Sequence, residues 1–314
     1  MATLHDTLRG WQEGDPVTFA PVAPHEKHQA LALLLTGSPR VDSSVDAFLN
    51  LTHEQELSTD MLWTARRGGR PVAAVLLIPC PGRTAMLFTS PMERAGGGTV
   101  VSDLVRIACR SQRPARVQLI QSLLDPGQAQ ERQALESAGF THLAELIYMT
   151  RPAPAKPTPL RLDGGLEVVH YSPGRRDLFG RAILSSYQDT RDCPGLLGVR
   201  DIDDILDGHM AAGKFRPELW FTLLAEAVPA AVMLLNPIPQ RQAIELVYLG
   251  VGPAWRGRGI AKAMLAHGLG LARQHHAHEI ILAVDRGNAP AVRLYQALQF
   301  APSARKVAMM FTLP

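Results

Sequence analysis

Two stretches of this chain carry one pattern at a fixed distance. Pro91, Arg94, Gly97 and Thr99 of "PMERAGGGT" match Pro253, Arg256, Gly259 and Ala261 of "PAWRGRGIA", always at an offset of 162 (253 − 91). Farther on, "LESAGF" ending at Phe140 matches "YQALQF" ending at Phe300, an offset of 160 (300 − 140). A period this long is no solenoid unit and predicts duplicated domains. The 314 residues, 46% of them hydrophobic, suffice for two cores. Between the halves, "RPAPAKPTPLRLDGG" (Arg151–Gly165) holds Pro152, Pro154, Pro157 and Pro159. Proline at that density resists both helix and central strand. The predicted organisation is a domain over residues 1–150, a linker over 151–165 and a second domain over 166–314.

The predicted elements run in the same order in both halves. "PVAAVLLIP" and "AMLFTS" read as strands in the first half, and "PAAVMLLNP" and "AIELVYLGV" in the second. A helix follows each glycine loop, over Val100–Arg110 and Ile260–His275. A strand comes next, "RVQLIQSLL" or "EIILAVD", then a short helix, then a strand that closes each half, "LAELIYMT" or "VAMMFTL". Strand, glycine loop, helix, strand, helix, strand is an α/β or α+β order.

The loop in "VYLGVGPAWRGRGIAKAML" sits between an apolar strand and a helix that lacks a side-chain cap. The first turn of such a helix leaves backbone N–H groups without partners, and these together with the helix dipole favour an anion. Gly257 and Gly259 let a bulky phosphate approach the backbone, and Ala261 keeps the next turn narrow. Arg256 and Arg258 add positive charge suited to phosphate oxygens. A dinucleotide site is excluded, because the first glycine of GxGxxG is missing and no acidic residue follows at the required distance.

The formal net charge is +3, with no basic block and no basic surface interleaved with aromatics, so composition argues against nucleic acid as a partner. Cys80, Cys109 and Cys193 are scattered with no CxxC pair, which points to a reducing compartment with neither a disulfide nor a zinc site. Asp203, Asp204 and His209 have no recognised metal spacing. The N-terminus lacks a signal-type apolar segment and no run of about 18 apolar residues occurs. A soluble cytoplasmic protein, without a membrane segment or metal, is the expectation.

"LGVGPAWRGRGIA" resembles the acetyl-coenzyme A loop of the GNAT superfamily of N-acetyltransferases, with Arg256, Gly259 and Ala261 filling its pattern. "NAPAVRLYQALQF" resembles the family's Asn…Leu-Tyr…Gly-Phe segment at Asn288, Leu294, Tyr295 and Phe300, with Gln299 where glycine is usual. The resemblance is specific from Ala243 to Phe300. It implies two tandem domains, each a mixed, mostly antiparallel central sheet flanked by helices, a layout similar to mycothiol synthase and other tandem acetyltransferases. It further implies acetyl-coenzyme A as cosubstrate and direct transfer of its acetyl group to an amine. The diphosphate would lie on Arg256, Gly257, Arg258, Gly259, Ile260 and Ala261, with Asn288 nearby. The pantetheine arm would pair with the backbone of Leu249 and Val251, like an added strand.

The same resemblance makes Tyr295 the candidate acid for the departing thiolate and Glu245 the candidate base. Strict alternation would put Glu245, Val247, Leu249 and Val251 on one face and Tyr248 on the other. The polar segment from Ser185 to His209 supplies candidate acceptor-binding residues, Tyr187, Asp192 and Arg200. Cys193, with no histidine partner, reads as packing rather than nucleophile. In the first half Leu135 stands at the Tyr295 position, so the chemistry is assigned to the second half. The acceptor stays open among an amino-sugar conjugate of the mycothiol type, a polyamine, an antibiotic and a protein N-terminus. A non-catalytic acyl-coenzyme A sensor is the rival reading.

Overall fold

The computed structural model describes residues 16–35, 41–92, 97–154, 159–160 and 165–313. By its internal contacts the chain forms two compact units. Unit 1 comprises the chain up to Pro79, Arg83–His142 and the residues from Met309 on; unit 2 comprises Cys80–Gly82 and Leu143–Ala308.

Unit 1 contains strands β1 (Val17–Pro21), β2 (Met61–Arg67), β3 (Arg70–Cys80), β4 (Thr84–Thr89) and β5 (Leu119–Leu124), adjacent in that order. Helices α1 (Lys27–Leu34), α2 (Val41–Glu54), α3 (Gly98–Arg110) and α4 (Ala129–Ala138) complete it. The β1–β2 and β2–β3 pairs are antiparallel, and β4–β5 is parallel. Gly68 (φ 54°) and Gly69 (φ 77°) supply the two left-handed residues of the tight β2–β3 turn.

Unit 2 holds β6 (Thr141–Pro152), β7 (Glu167–His170), α5 (Arg176–Ser186), α6 (Ile202–Ala211), β8 (Trp220–Ala225) and β9 (Val228–Ile238). It continues with β10 (Ala243–Val251), α7 (Ile260–Gln274), β11 (Glu279–Asp285), α8 (Ala289–Ala297) and β12 (Ala301–Thr312). Its strand order is β12-β6-β11-β10-β9-β8-β7. The pair β10–β11 is parallel; β6–β11, β9–β10, β8–β9 and β7–β8 are antiparallel. The fold is therefore the expected α/β class with a mixed, mostly antiparallel sheet. One core cluster joins β9 and β10 to α7 through Met233, Ile244, Leu246, Met264 and Leu265. A second packs Phe179, Ile183 and Leu206 of α5 and α6 on Trp220, Val232 and Leu234.

The closing strands do not stay with their own halves. β6, at the end of the first half, pairs with β11 from Glu279↔Pro152 to Asp285↔Leu146 within unit 2. The last residues of β12 belong to unit 1, where the Leu313 N–H donates to the Gln118 carbonyl at 2.9 Å. An alternating apolar pattern marks a strand without specifying its neighbour. Arg151 and Pro152, read as the start of the linker, end β6; residues 155–158 and 161–164 of that stretch lie outside the described residues. No described helix is long and apolar enough to cross a membrane.

Candidate functional site

The site is built on an irregularity in β10. Against β9 its register runs Glu245↔Asn236 and Leu246↔Leu235, then shifts so that Tyr248 faces Leu234. Val247 is the extra residue of a bulge, which bends the strand and turns over the side-chain alternation. Leu249 and Val251 accordingly join Ile244 and Leu246 against the α7 core, while Val247 and Tyr248 pack with Trp220 and Phe179. Strict alternation through Glu245, Val247, Leu249 and Val251 is thus corrected: Glu245 lies on the face opposite Leu249 and Val251.

On its other side β10 pairs with β11 only over Ala243↔Glu279, Ile244↔Ile280 and Glu245↔Ile281. Beyond Glu245 the two strands part, and a cleft of about 470 Å³ opens between Leu246–Val251, Val284, Asn288 at the N-cap of α8, and the α8 residues Ala291 and Tyr295. Ser186 and the segment Asp189–Asp192 also line it. A splayed parallel pair leaves strand-edge backbone groups for an extended ligand. Gly250 is required where β10 meets α5, because a Cβ there would lie 2.2 Å from Ser186 Oγ.

At the end of β10 the chain makes one tight turn over Pro253–Trp255 and enters the glycine loop. Gly257 (φ 76°) and Gly259 (φ 77°) both adopt the left-handed conformation, and a Cβ at either would meet no atom within 4 Å. The first amide of α7 with a partner is that of Ala263, bonded to the Gly259 carbonyl at 3.0 Å. Among the described residues the N–H groups from Gly257 to Lys262, those of Ile260 and Ala261 included, make no hydrogen bond. This cradle of open amides fits a diphosphate.

The two loop arginines are placed differently from a simple phosphate clamp. Arg256 donates from Nε to the Val251 carbonyl (3.1 Å) and from Nη2 to the carbonyls of Ser186 (3.0 Å) and Gln188 (2.6 Å). It ties the loop to the end of α5, leaving Nη1 for a ligand. The Arg258 guanidinium lies 4.8 Å over the Trp255 ring.

Tyr295 projects from the end of α8, 7% exposed. The helix closes with the Gln299 N–H on the Gln296 carbonyl (2.9 Å) and the Phe300 N–H on the Tyr295 carbonyl (3.0 Å), the paired bonds of a Schellman cap. The cap brings the Phe300 ring to 5.8 Å from the Tyr295 ring. Gln299 takes φ 63° where glycine would be unstrained, so the departure from the family pattern leaves the turn in place. Burial and the nearby Asp192 carboxylate raise the Tyr295 phenol, keeping its proton in place. The Asn288 side chain caps α8, accepting from the Ala291 N–H at 3.4 Å.

Asp192 lines the cleft and is exposed. Crowding by the cleft walls raises its carboxyl above the usual range, and Asp285 adds to the shift. The Asp285 N–H donates to Asp192 (3.4 Å), and Asp285 accepts from the Cys193 N–H (3.1 Å). Burial pushes the Cys193 thiol up to about 12, which suits the packing role expected of it. Tyr187 ends α5, is pushed up to about 12 by burial and sits edge-on to Tyr248 at 5.8 Å. Arg200 is turned to backbone: its Nη2 donates to the Gly82 carbonyl (3.1 Å) and to the Asp204 carbonyl. Of the three predicted acceptor residues, Asp192 alone lines the cleft.

Glu245 is the last residue of β10 paired with β11 and does not line the cleft itself. Burial raises its carboxyl, and Arg241 partly offsets this. The field of Glu245 in turn raises the half-buried Tyr148 on β6, second to burial. Sequence reasoning missed Tyr148, Asp285 and the 2.7 Å hydrogen bond between Ser186 and Tyr248. Asp285 had a local signal, as the polar residue ending "AVD" before a glycine turn; the others depend on tertiary neighbours. Among the described residues no group of three or more His, Cys, Asp or Glu is arranged to hold a metal ion.

Unit 1 repeats the splayed parallel pair and the uncapped helix after a glycine. β4 and β5 pair only over Thr84↔Leu119, Ala85↔Ile120 and Met86↔Gln121. α3 starts after Gly97 (φ 110°) with no side-chain cap, beside a cavity of about 820 Å³ lined by Gly97, Thr99, Ser102 and Arg106. Leu135, the counterpart of Tyr295, is buried, and Arg94 lies outside the described residues.

The model of the acetyltransferase (GNAT) family matches residues 187–300, the stretch that contains the cleft. A mycothiol acetyltransferase of Acidothermus cellulolyticus is 41% identical over 312 residues, 88% of this chain and 90% of that protein. Among solved structures, a GCN5-related N-acetyltransferase from Sphaerobacter thermophilus aligns with a TM-score of 0.60 at 18% identity, covering 94% of this chain and 95% of that one. A tandem GNAT protein from the clavulanic acid biosynthesis pathway aligns with a TM-score of 0.51 at 15% identity, covering 95% and 98%. The last two likenesses are of fold.

Proposed function

This chain belongs to the GNAT family of acetyltransferases, and from that premise we propose that unit 2 transfers the acetyl group of acetyl-coenzyme A directly to a primary amine. The observation that carries this reading is a β10–β11 cleft with Tyr295 on its wall and Arg256 on its rim, at the start of the loop whose amides from Gly257 to Lys262 make no hydrogen bond among the described residues. Acetyl-coenzyme A supplies an acetyl group already activated as a thioester.

The loop amides and the Nη1 hydrogens of Arg256 hold the diphosphate, and the Leu249 and Val251 backbone aligns the pantetheine arm. A backbone N–H of β10 steadies the carbonyl oxygen as negative charge builds on it. Glu245, reached through water, takes a proton from the acceptor nitrogen, and its raised carboxyl suits that task. The new C–N bond displaces the sulfur, and Tyr295 gives its phenolic proton to the departing thiolate. Unit 1, with Leu135 in place of the tyrosine, shapes or supports rather than catalyses. The mycothiol acetyltransferase relative supports a small-molecule acceptor of the mycothiol type, and Cys80, Cys109 and Cys193, none of them in a disulfide, fit a reducing cytoplasm.

Tyr295→Phe tests the assignment. The variant should bind coenzyme A as tightly as wild type in calorimetry and lose about 10²-fold or more in kcat, read as thiol release with a panel of amines. Undiminished kcat removes Tyr295 from the chemistry. Tight coenzyme A binding by wild type with no turnover of any amine identifies an acyl-coenzyme A sensor instead.

A further inference from the structure

Strand β6, supplied by the first half of the chain, brings a tyrosine to the face of the sheet that bears Glu245. Ile244 and Leu246 of β10, Leu282 and Val284 of β11, and Ile147 and Met149 of β6 all pack in the core cluster of α7. The residues between them turn to the other face. Glu245, Ala283 and Tyr148 therefore share that face. β10 and β6 flank β11, with Glu245 opposite Ile281 on one side and Tyr148 opposite Ala283 on the other. Two strand spacings, roughly 10 Å, separate β10 from β6.

Ala283 is exposed and lines the cleft, so the cleft reaches onto the open face of β11 beside Tyr148. Its side chain is a single methyl group, which leaves a low step there. Other polar groups of this face have partners: Thr150 Oγ1 donates to Glu279 at 2.7 Å, and Glu279 lies 3.5 Å from Arg241. The Tyr148 hydroxyl and the Glu245 carboxylate differ, since among the described residues neither makes a hydrogen bond or an ion pair. Tyr148 is half-buried, and burial first and the field of Glu245 second keep its proton in place. A neutral phenol can both donate and accept.

We propose that Tyr148 is a specificity-determining residue that hydrogen-bonds a polar group of the acceptor roughly 10 Å from the reacting nitrogen. The proposal deepens the acetyltransferase reading and rests on it, because Glu245 then marks the reacting end. It adds the direction taken by the rest of the acceptor, over Ala283 toward β6. A strand from the first half thereby completes the acceptor site of the second.

The test compares short amines with extended, hydroxyl-bearing ones: glucosamine with chitobiose, glycinamide with glycyl-seryl-serinamide, and 2-deoxystreptamine with kanamycin. Thiol release from acetyl-coenzyme A gives KM and kcat for the full chain, and calorimetry with coenzyme A bound gives the affinity of each amine. In at least one pair the extended member should have a KM and Kd about tenfold or more below the short one, and Tyr148→Phe should bring that ratio to about one. Ala283→Leu, which sets a larger side chain in the path, should do the same; its position is exposed, so the fold tolerates it. Equal treatment of both members of every pair by wild type overturns the proposal, as does a preference that survives both variants. A variant that weakens short and extended members equally assigns Tyr148 a structural role and overturns it too. Coenzyme A binding without turnover of any amine sinks the transferase reading alone, while the calorimetric ratios still decide the role of Tyr148.

Discussion

His209 shows how far one side chain's behaviour is set by its neighbours. It stacks on Tyr248 with ring centroids 5.6 Å apart, and its Nε2 is sealed from solvent without a partner among the described residues. Burial first, and the cation of Arg200 second, lower its pKa from 6.5 to about 4. Folding therefore favours the neutral ring: the contribution is fully present above pH 6.5 and is lost as pH falls toward 4. Wild type should lose up to about 3 kcal/mol relative to His209→Phe across that window, measured by urea unfolding at several pH values. A difference that does not change with pH would show that the ring is charged or solvated in the fold. Sequence marks a residue's conformation where backbone chemistry is local. Gly257 and Gly259 are glycines because φ is positive there, and Tyr295 stands five residues before Phe300 because one cap joins them.

At the level of elements, the bulge at Val247 shapes the site more than any side chain. It bends β10 away from β11, opens the cleft and moves Glu245 to the face opposite Leu249 and Val251. Nothing in "AIELVYLGV" signals it, since no glycine or proline sits at the bulge and the apolar run fits either register. The glycine loop was legible because strand, loop and helix occur in sequence, whereas Asp285 and Tyr148 reach the site through β11 and β6. The seam between β10 and α5 is tight at Gly250. Gly250→Ala should cost about 1–3 kcal/mol in denaturant unfolding, because the Ser186 Oγ that a Cβ would meet belongs to a buried side chain hydrogen-bonded to Tyr248. A cost near zero would mean that α5 is free to move away from the strand.

Across the whole molecule, the sequence repeat predicts two domains of one plan, and the two compact units draw their strands from both halves. Strand β6 comes from the first half and belongs to unit 2, while the residues from Met309 on return to unit 1. There Phe311 packs on Phe140 with ring centroids 5.4 Å apart. Phe311→Ala should therefore weaken unit 1 by about 3 kcal/mol or more in unfolding experiments and leave coenzyme A affinity intact. Loss of coenzyme A binding would show that the cleft of unit 2 depends on that contact. The central claim, that main-chain amides after Trp255 hold the diphosphate of an acyl carrier, is tested most directly by a crystal structure with acetyl-coenzyme A supplied at roughly millimolar concentration. The account predicts diphosphate oxygens about 3 Å from amide nitrogens between Gly257 and Lys262, with the thioester beside Tyr295. Acetyl-coenzyme A bound elsewhere, or not at all, would contradict it.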